Sequence, residues 1–330
     1  MELKQHNRKK YDQYIRLLLG VGALLFLSGS WLDASAHTYI GGDLNSFFTP
    51  WHAVLYSGYV LLTILILLKK YISKDSSWDM GFLGIAIFGI GGASDAIWHT
   101  LLGIEEGIEA LISPSHLFLF IGGFLMLSHI IFSRPSKKHL DFAAIISLTS
   151  IYSLVMFITH FMNPYLSVYD FFFTDWKHEL AAGSLFFQAL MTNFIFLYVI
   201  KLNISGKQIG IIFLSSFVLL SIHSLLGEWY KMILIIFCGC IYSLISTSIL
   251  NWFYHTKNIL KIQISSALIS GTYGAILILY VFLCHQFFWE TQEIRWRFYG
   301  LGGLICIPGL FGFLIANLHN YKEKNVKEKS

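Results

Sequence analysis

The sequence predicts an all-α, polytopic membrane protein, with about ten transmembrane helices arranged as five repeated helical hairpins of about 62 residues each. Three observations predict it. Of the 330 residues, 55% are hydrophobic and 13% charged, with mean hydropathy +0.63; a soluble domain of this size needs more charge to cover its surface. Apolar runs long enough to cross a bilayer recur from one end to the other. The connections between them alternate between basic and acidic, and histidines recur at the ends of alternate runs.

Taken in order, the apolar runs place helices near 14–36, 47–68, 79–102, 113–133, 140–163, 177–201, 209–228, 230–250, 264–287 and 297–318. They pair as hairpins 14–68, 79–133, 140–201, 209–250 and 264–318, forming one transmembrane domain over 1–330 with short tails at 1–13 and 319–330. The connections "KKYISKDSSWD", "RPSKKHLD", "KLNISGKQ" and "HTKNILK" are basic, as are both tails. Of the 23 Lys+Arg, only Lys177, Lys231, Arg295 and Arg297 fall on the other side, which carries most of the 19 Asp+Glu. The positive-inside rule then predicts a multi-pass protein of the cell membrane with both termini cytoplasmic. Most of the tryptophans, Trp31 and Trp229 among them, fall near the outer boundary and read as an interfacial belt.

"KQHNRKK", the apolar "LLLGVGALLFL" and Ala34-Ser35-Ala36 imitate a cleaved signal peptide. Cleavage there would leave His37 as an N-terminal copper brace. Spacing argues for a retained helix instead. The outward-running helices end at His37, His99, His160, His223 and His285, at intervals of 62, 61, 63 and 62 residues. A signal peptide has no reason to share that register.

The repeat is deepest in the first two hairpins. One reads Asp33-x3-His37-x14-His52 and the other Asp95-x3-His99-x16-His116, the later histidine following "TP-W" and "SP-S". Positions i and i+4 share a helix face, so each Asp and its nearer His can converge on one ion. A returning helix packs its first turns beside the last turns of its partner, so His52 and His116 can close each set. Two histidines and one carboxylate make a metal triad with open positions. An unpaired carboxylate costs about 2.5–3.5 kcal/mol at the centre of a span on insertion scales, and less toward its edge; a cation supplies the missing charge. The third hairpin keeps His160 and His178, a partial set read as candidate additional metal ligands or supporting residues, but has Met156 in the aspartate position. The last two, with Leu219 and Val281 there, read as structural. Glu105 and Glu109 in the second outer loop are candidate partners that orient His99 or His116, or a solvated face. Cys238-x-Cys240 and His129 are read as core residues, with soft-metal binding the alternative for the cysteines.

The pattern Asp-x3-His followed by a third-ligand His across a short outer loop resembles the C subunit of copper membrane monooxygenases, the particulate methane and ammonia monooxygenases. The matching residues are Asp33, His37 and His52, then Asp95, His99 and His116, and the resemblance covers residues 31–122. It implies copper, with iron or zinc the alternatives that the donor set also accepts. The chain departs from that family in its longer outer loops, in its greater number of spans and in Asp95, where the family's second site has asparagine.

The expected function is therefore a metal-binding integral membrane protein. The leading reading is a copper-dependent, or non-haem iron, oxidoreductase acting on a small apolar or lipid-like substrate at the outer face. Its other partners would be the lipid bilayer and either partner subunits or further copies of the chain. A metal permease, a metal-delivery protein or a zinc-dependent lipid hydrolase is the alternative. Span centres almost free of ionisable groups weigh against transport. The absence of a basic stripe with interleaved aromatics weighs against nucleic acid as a partner.

Overall fold

The structure, a computed structural model, describes residues 2–40, 48–73, 79–103, 109–134, 140–166, 178–202, 204–254, 259–288 and 298–327. It is all-α among these residues. Helices run over Glu2–Tyr39 (α1), Pro50–Ser73 (α2), Met80–Leu102 (α3), Glu109–Ile112 (α4), Pro114–Phe132 (α5), Phe142–Ile158 (α6), His178–Lys201 (α7), Gly206–Ser221 (α8), Trp229–Tyr254 (α9), Ile259–Phe288 (α10) and Phe298–Lys327 (α11). Eight of them contain stretches long and apolar enough to cross a bilayer, which makes this a multi-pass membrane protein. Two of the expected spans correspond to shorter apolar helices, Phe142–Ile158 and Gly302–Leu318.

Local chemistry sets several boundaries. Asp79 caps α3 by accepting hydrogen bonds from the Gly81 and Phe82 N–H groups. The same helix ends at Gly103, whose φ of 89° suits glycine. Asp141 accepts from the Ala144 N–H at the start of α6. That helix stops short of the expected 163 because the chain tightens into a 3₁₀ turn over His160–Met162, followed by an Asn163 turn. At the N-terminus the helix begins at Glu2, not near 14, and runs without a break through Ala34-Ser35-Ala36 to Tyr39.

The chain divides into two compact units, Met1–Ile158 with Ile222–Trp229, and Thr159–Ser221 with Tyr230–Ser330. In the first unit α1 packs along α2 and α6, and α5 packs along α3 and α6. Leu19, Ala23, Phe26, Leu27 and Trp31 of α1 are fully buried. Trp31 therefore belongs to the core, not to an interfacial belt; its indole N–H donates to Ser153 Oγ at 2.8 Å and its ring meets Phe157 edge-on. Trp229 is exposed.

Two helix pairs in this unit come into backbone contact at glycines. A Cβ at Gly29 would strike the Leu55 backbone, and one at Gly58 would strike Phe26. A Cβ at Gly91 would lie 2.9 Å from the Leu119 nitrogen, and one at Gly122 would lie 2.5 Å from the Phe88 nitrogen. Gly29 and Gly91 each stand four residues before a triad aspartate, and Gly58 and Gly122 each stand six residues after a triad histidine. The α1–α2 and α3–α5 pairs thus close by the same contacts at equivalent positions.

At the far end of α1 from Asp33, charged groups tie the helices together. Arg16, 3% exposed, binds both oxygens of Asp141 and donates to the Ile130 carbonyl at 3.1 Å. Lys69 reaches Asp12 and the Ser133 carbonyl, and Lys70 reaches Asp79.

In the second unit α10 and α11 pair closely, with α7 beside both. Gly274 lets α10 approach the Leu304 backbone. Tyr165, Phe213, Phe217, Tyr242, Tyr273 and Tyr280 form a buried aromatic core. Within it, Tyr280 Oη donates to the Tyr165 carbonyl at 2.8 Å.

Candidate metal centres

Each triad is assembled by one helix ending and another beginning. Asp33 and His37 lie in the last two turns of α1, Asp95 and His99 in the last two turns of α3. Pro50 and Pro114 open the returning helices α2 and α5, at a position where a missing N–H leaves nothing unpaired. His52 and His116 therefore both occupy the third helical position, turned back toward the outgoing helix. The glycine contacts one to two turns deeper hold each pair close enough for its three side chains to meet.

They do meet. In the first group His37 Nε2 is 3.7 Å from Asp33 Oδ2, and His52 Nε2 is 3.3 Å from Asp33 Oδ1. In the second, His99 Nε2 and His116 Nε2 lie 3.5 and 3.6 Å from Asp95 Oδ1. Within each group all three prospective ligand atoms lie within 4.8 Å of one another. Charge-assisted hydrogen bonds are shorter, about 2.7–2.9 Å. Ligands about 2.0–2.2 Å from one tetrahedral ion are separated by about 3.4 Å along the edges of the tetrahedron. All four separations thus suit a shared ion better than they suit a hydrogen bond. Asp33 Oδ1 supports the same conclusion, because it is buried and has no hydrogen-bond partner among the described residues. The donor set, two imidazole nitrogens and one carboxylate in each case, suits copper, iron or zinc.

The surroundings of the two triads differ. Ser115 Oγ donates to Asp95 Oδ1 at 3.1 Å, Ser113 Oγ lies 2.7 Å from His116 Nδ1, and the two hydroxyls are 3.2 Å apart. With its proton on Nδ1, His116 donates to Ser113 and turns a free Nε2 lone pair toward the other ligands. In the first triad Thr49 Oγ1 instead accepts the His52 backbone N–H, at 3.1 Å, as an ordinary helix cap. Trp51 stands where the second triad has Ser115.

Tyr56, one turn after His52, connects the two groups. Its ring meets His52 and Phe88 edge-on, at 6.1 and 6.2 Å between centroids. It lies within electrostatic range of both Asp33 and Asp95, and Gly92 makes room for it, since a Cβ there would meet the Tyr56 hydroxyl at 3.1 Å. His37 is likewise within electrostatic range of His99 and His116.

Not every predicted residue joins a site. His160 is half-buried in the 3₁₀ turn after α6 and belongs to no ligand group among the described residues. His178 begins α7 and Glu109 begins α4, but the side chains of both lie outside the described set, and Glu105 lies wholly outside it. His223 is a packed residue: it contacts Trp31 and Tyr39 edge-on and lies 3.1 Å from Thr38 Oγ1. His129 lies 3.4 Å from Asp79, among the charges at the opposite end of the unit. Cys238 is buried and Cys240 half-buried, and neither joins a ligand group among the described residues. Tyr56, Ser113 and Ser115 are the residues that sequence reasoning passed over. The only signals were the serines flanking proline in "SPSH" and the tyrosine four positions beyond His52.

No family model matches this chain, and neither a curated protein nor a solved structure matches it.

Proposed function

We propose that this chain is a membrane metalloprotein whose two triads each hold one transition-metal ion near the outer face of the bilayer, and that it oxidises a small apolar or lipid-like substrate there. The observation that carries the reading is the duplicated set Asp33–His37–His52 and Asp95–His99–His116, with carboxylate-to-imidazole separations of 3.3–3.7 Å. Three protein ligands leave open positions on an ion, as catalytic sites do and closed structural sites do not. Copper is the favoured ion, through the resemblance to the copper membrane monooxygenases. Iron suits the same two-histidine, one-carboxylate set. A bound ion of either kind would supply one-electron and O₂ chemistry.

The chain's own residues orient that chemistry. Asp33 and Asp95 neutralise the ions and fix their position, Ser113 and Ser115 hold His116 and Asp95 in place, and Tyr56 sets a phenol beside His52. In this reading the chain spans the membrane ten times as five hairpins, with both termini cytoplasmic. Electrons come from outside the chain, from a partner subunit or a soluble donor.

Metal analysis with EPR on purified protein tests the proposal. About two ions per chain are expected, and a double His37→Ala, His99→Ala variant should stay in the membrane and retain none. Full-length protein that carries no transition metal after reconstitution with copper or iron would end this reading.

A further inference from the structure

We infer that the two triads are not equivalent: the Asp95 triad keeps its ion as a long-term resident, and the Asp33 triad is where the ion meets exogenous ligand. The inference rests on the metal reading above and deepens it.

The two groups arise from nearly the same motif, so their differences are informative. Access differs first. Side-chain exposure is 19% for Asp33, 33% for His37 and 10% for His52, against 2% for Asp95, 7% for His99 and 26% for His116. The most exposed ligand of the first triad, His37, has no hydrogen bond from its imidazole to a residue outside the triad among the described residues. The most exposed ligand of the second, His116, is held by Ser113 at 2.7 Å.

Support of the ligands differs next. Asp95, Ser115, Ser113 and His116 form one continuous chain of hydrogen bonds. Before an ion leaves, one of its protein ligands must turn away, and this chain holds two of the three in place. Partners of this kind are worth about 10–100-fold in metal affinity. Asp33 Oδ1 has no such bond among the described residues, and Trp51 replaces the serine that would make it.

The third difference is chemical. Tyr56 contacts His52, and the equivalent position four residues beyond His116 is Phe120. The Tyr56 ring therefore packs on His52, where the second returning helix has a phenylalanine, while its hydroxyl lies against Gly92 of α3 within electrostatic range of both aspartates. More accessible and less braced, the first triad is suited to ligand exchange.

The test uses the full chain in detergent, with Co(II) as the probe ion. After loading, EDTA should release cobalt in two phases whose rates differ at least about tenfold, as the loss of such outer partners implies. His37→Ala should lack the fast phase and His99→Ala the slow one. Ser115→Ala should speed the slow phase about tenfold and leave the fast phase unchanged. Azide should shift the cobalt absorption of His99→Ala but not that of His37→Ala. Release in one phase, disappearance of the fast phase in His99→Ala, or an azide response confined to His37→Ala would overturn the division of roles while leaving two metal sites standing. Wild-type protein that takes up no cobalt, copper or iron would overturn the metal reading itself. Release is measured on wild type, so a single phase overturns the inequivalence even where a variant fails to fold, and Ser115→Ala, which leaves all six ligands in place, assigns the slow phase to the Asp95 triad.

Discussion

Residue by residue, the first unit depends on a few polar groups buried among apolar neighbours. Trp31 is the clearest. Its side chain is fully buried, its N–H satisfies Ser153, and its ring contacts both Phe157 and His223. Trp31→Ala should lower stability by about 3–5 kcal/mol, the range for deleting a large buried aromatic. Trp31→Phe should cost about 1–3 kcal/mol, from leaving Ser153 Oγ without its donor. Unfolding in detergent, followed by tryptophan-independent far-UV circular dichroism, measures both. Arg16 makes a comparable case at the opposite end. Its guanidinium is buried against Asp141, so Asp141→Leu leaves a cation with no countercharge. The expected loss is about 3 kcal/mol, the lower end for breaking a buried pair, because Asp141 itself is partly exposed. Removing both charges together, in Arg16→Met with Asp141→Leu, should recover most of that loss. Recovery would show that the cost comes from the stranded charge and not from lost packing.

Among the elements, the helix pair is what makes a site. Asp33 and His37 are brought together by helical spacing alone, whereas His52 reaches them only because α1 and α2 touch at Gly29 and Gly58. Gly58→Val and Gly122→Val should each push one pair apart and remove about one ion from the protein, read by metal analysis with membrane insertion as the control. Gly183→Ala in α7, where a methyl group meets open space, should leave ion content unchanged and not lower the melting temperature, since alanine is the better helix former. Loss of both ions from either single valine variant would mean that the two pairs do not close independently.

For the whole molecule, the expectation concerns sidedness. By the positive-inside rule, the basic connections are expected on the cytoplasmic side with both termini, and the triads at the other face. On a cysteine-free background, Asp43→Cys should react with an impermeant maleimide in intact cells, and Lys137→Cys only after permeabilisation. The reverse pattern would put the triads inside and end the outer-face reading. Two compact units are present, and both triads belong to the first. The second unit, built around its tyrosine-rich core, carries no ligand group among its described residues. That division was invisible in a repeat of histidines that runs evenly through both. His223 shows why: it keeps the register of the ligand histidines but is spent on packing against Trp31 and on Thr38.

What the sequence determined by itself follows from interactions local along the chain. Apolar runs of bilayer length fix the class, since a buried backbone must satisfy its own hydrogen bonds and a helix does so within one segment. Helical periodicity likewise sets Asp33 beside His37 and Asp95 beside His99. Tertiary structure alone decided the rest. Whether His52 and His116 reach those pairs depends on how closely two helices approach. Whether Trp31 lines an interface or a core depends on α6 lying against α1. Near-identical motifs acquired different surroundings because the Thr49 hydroxyl caps the backbone while Ser113 and Ser115 turn toward His116 and Asp95. Contacts of that kind join residues on different helices, and spacing along the chain does not encode them.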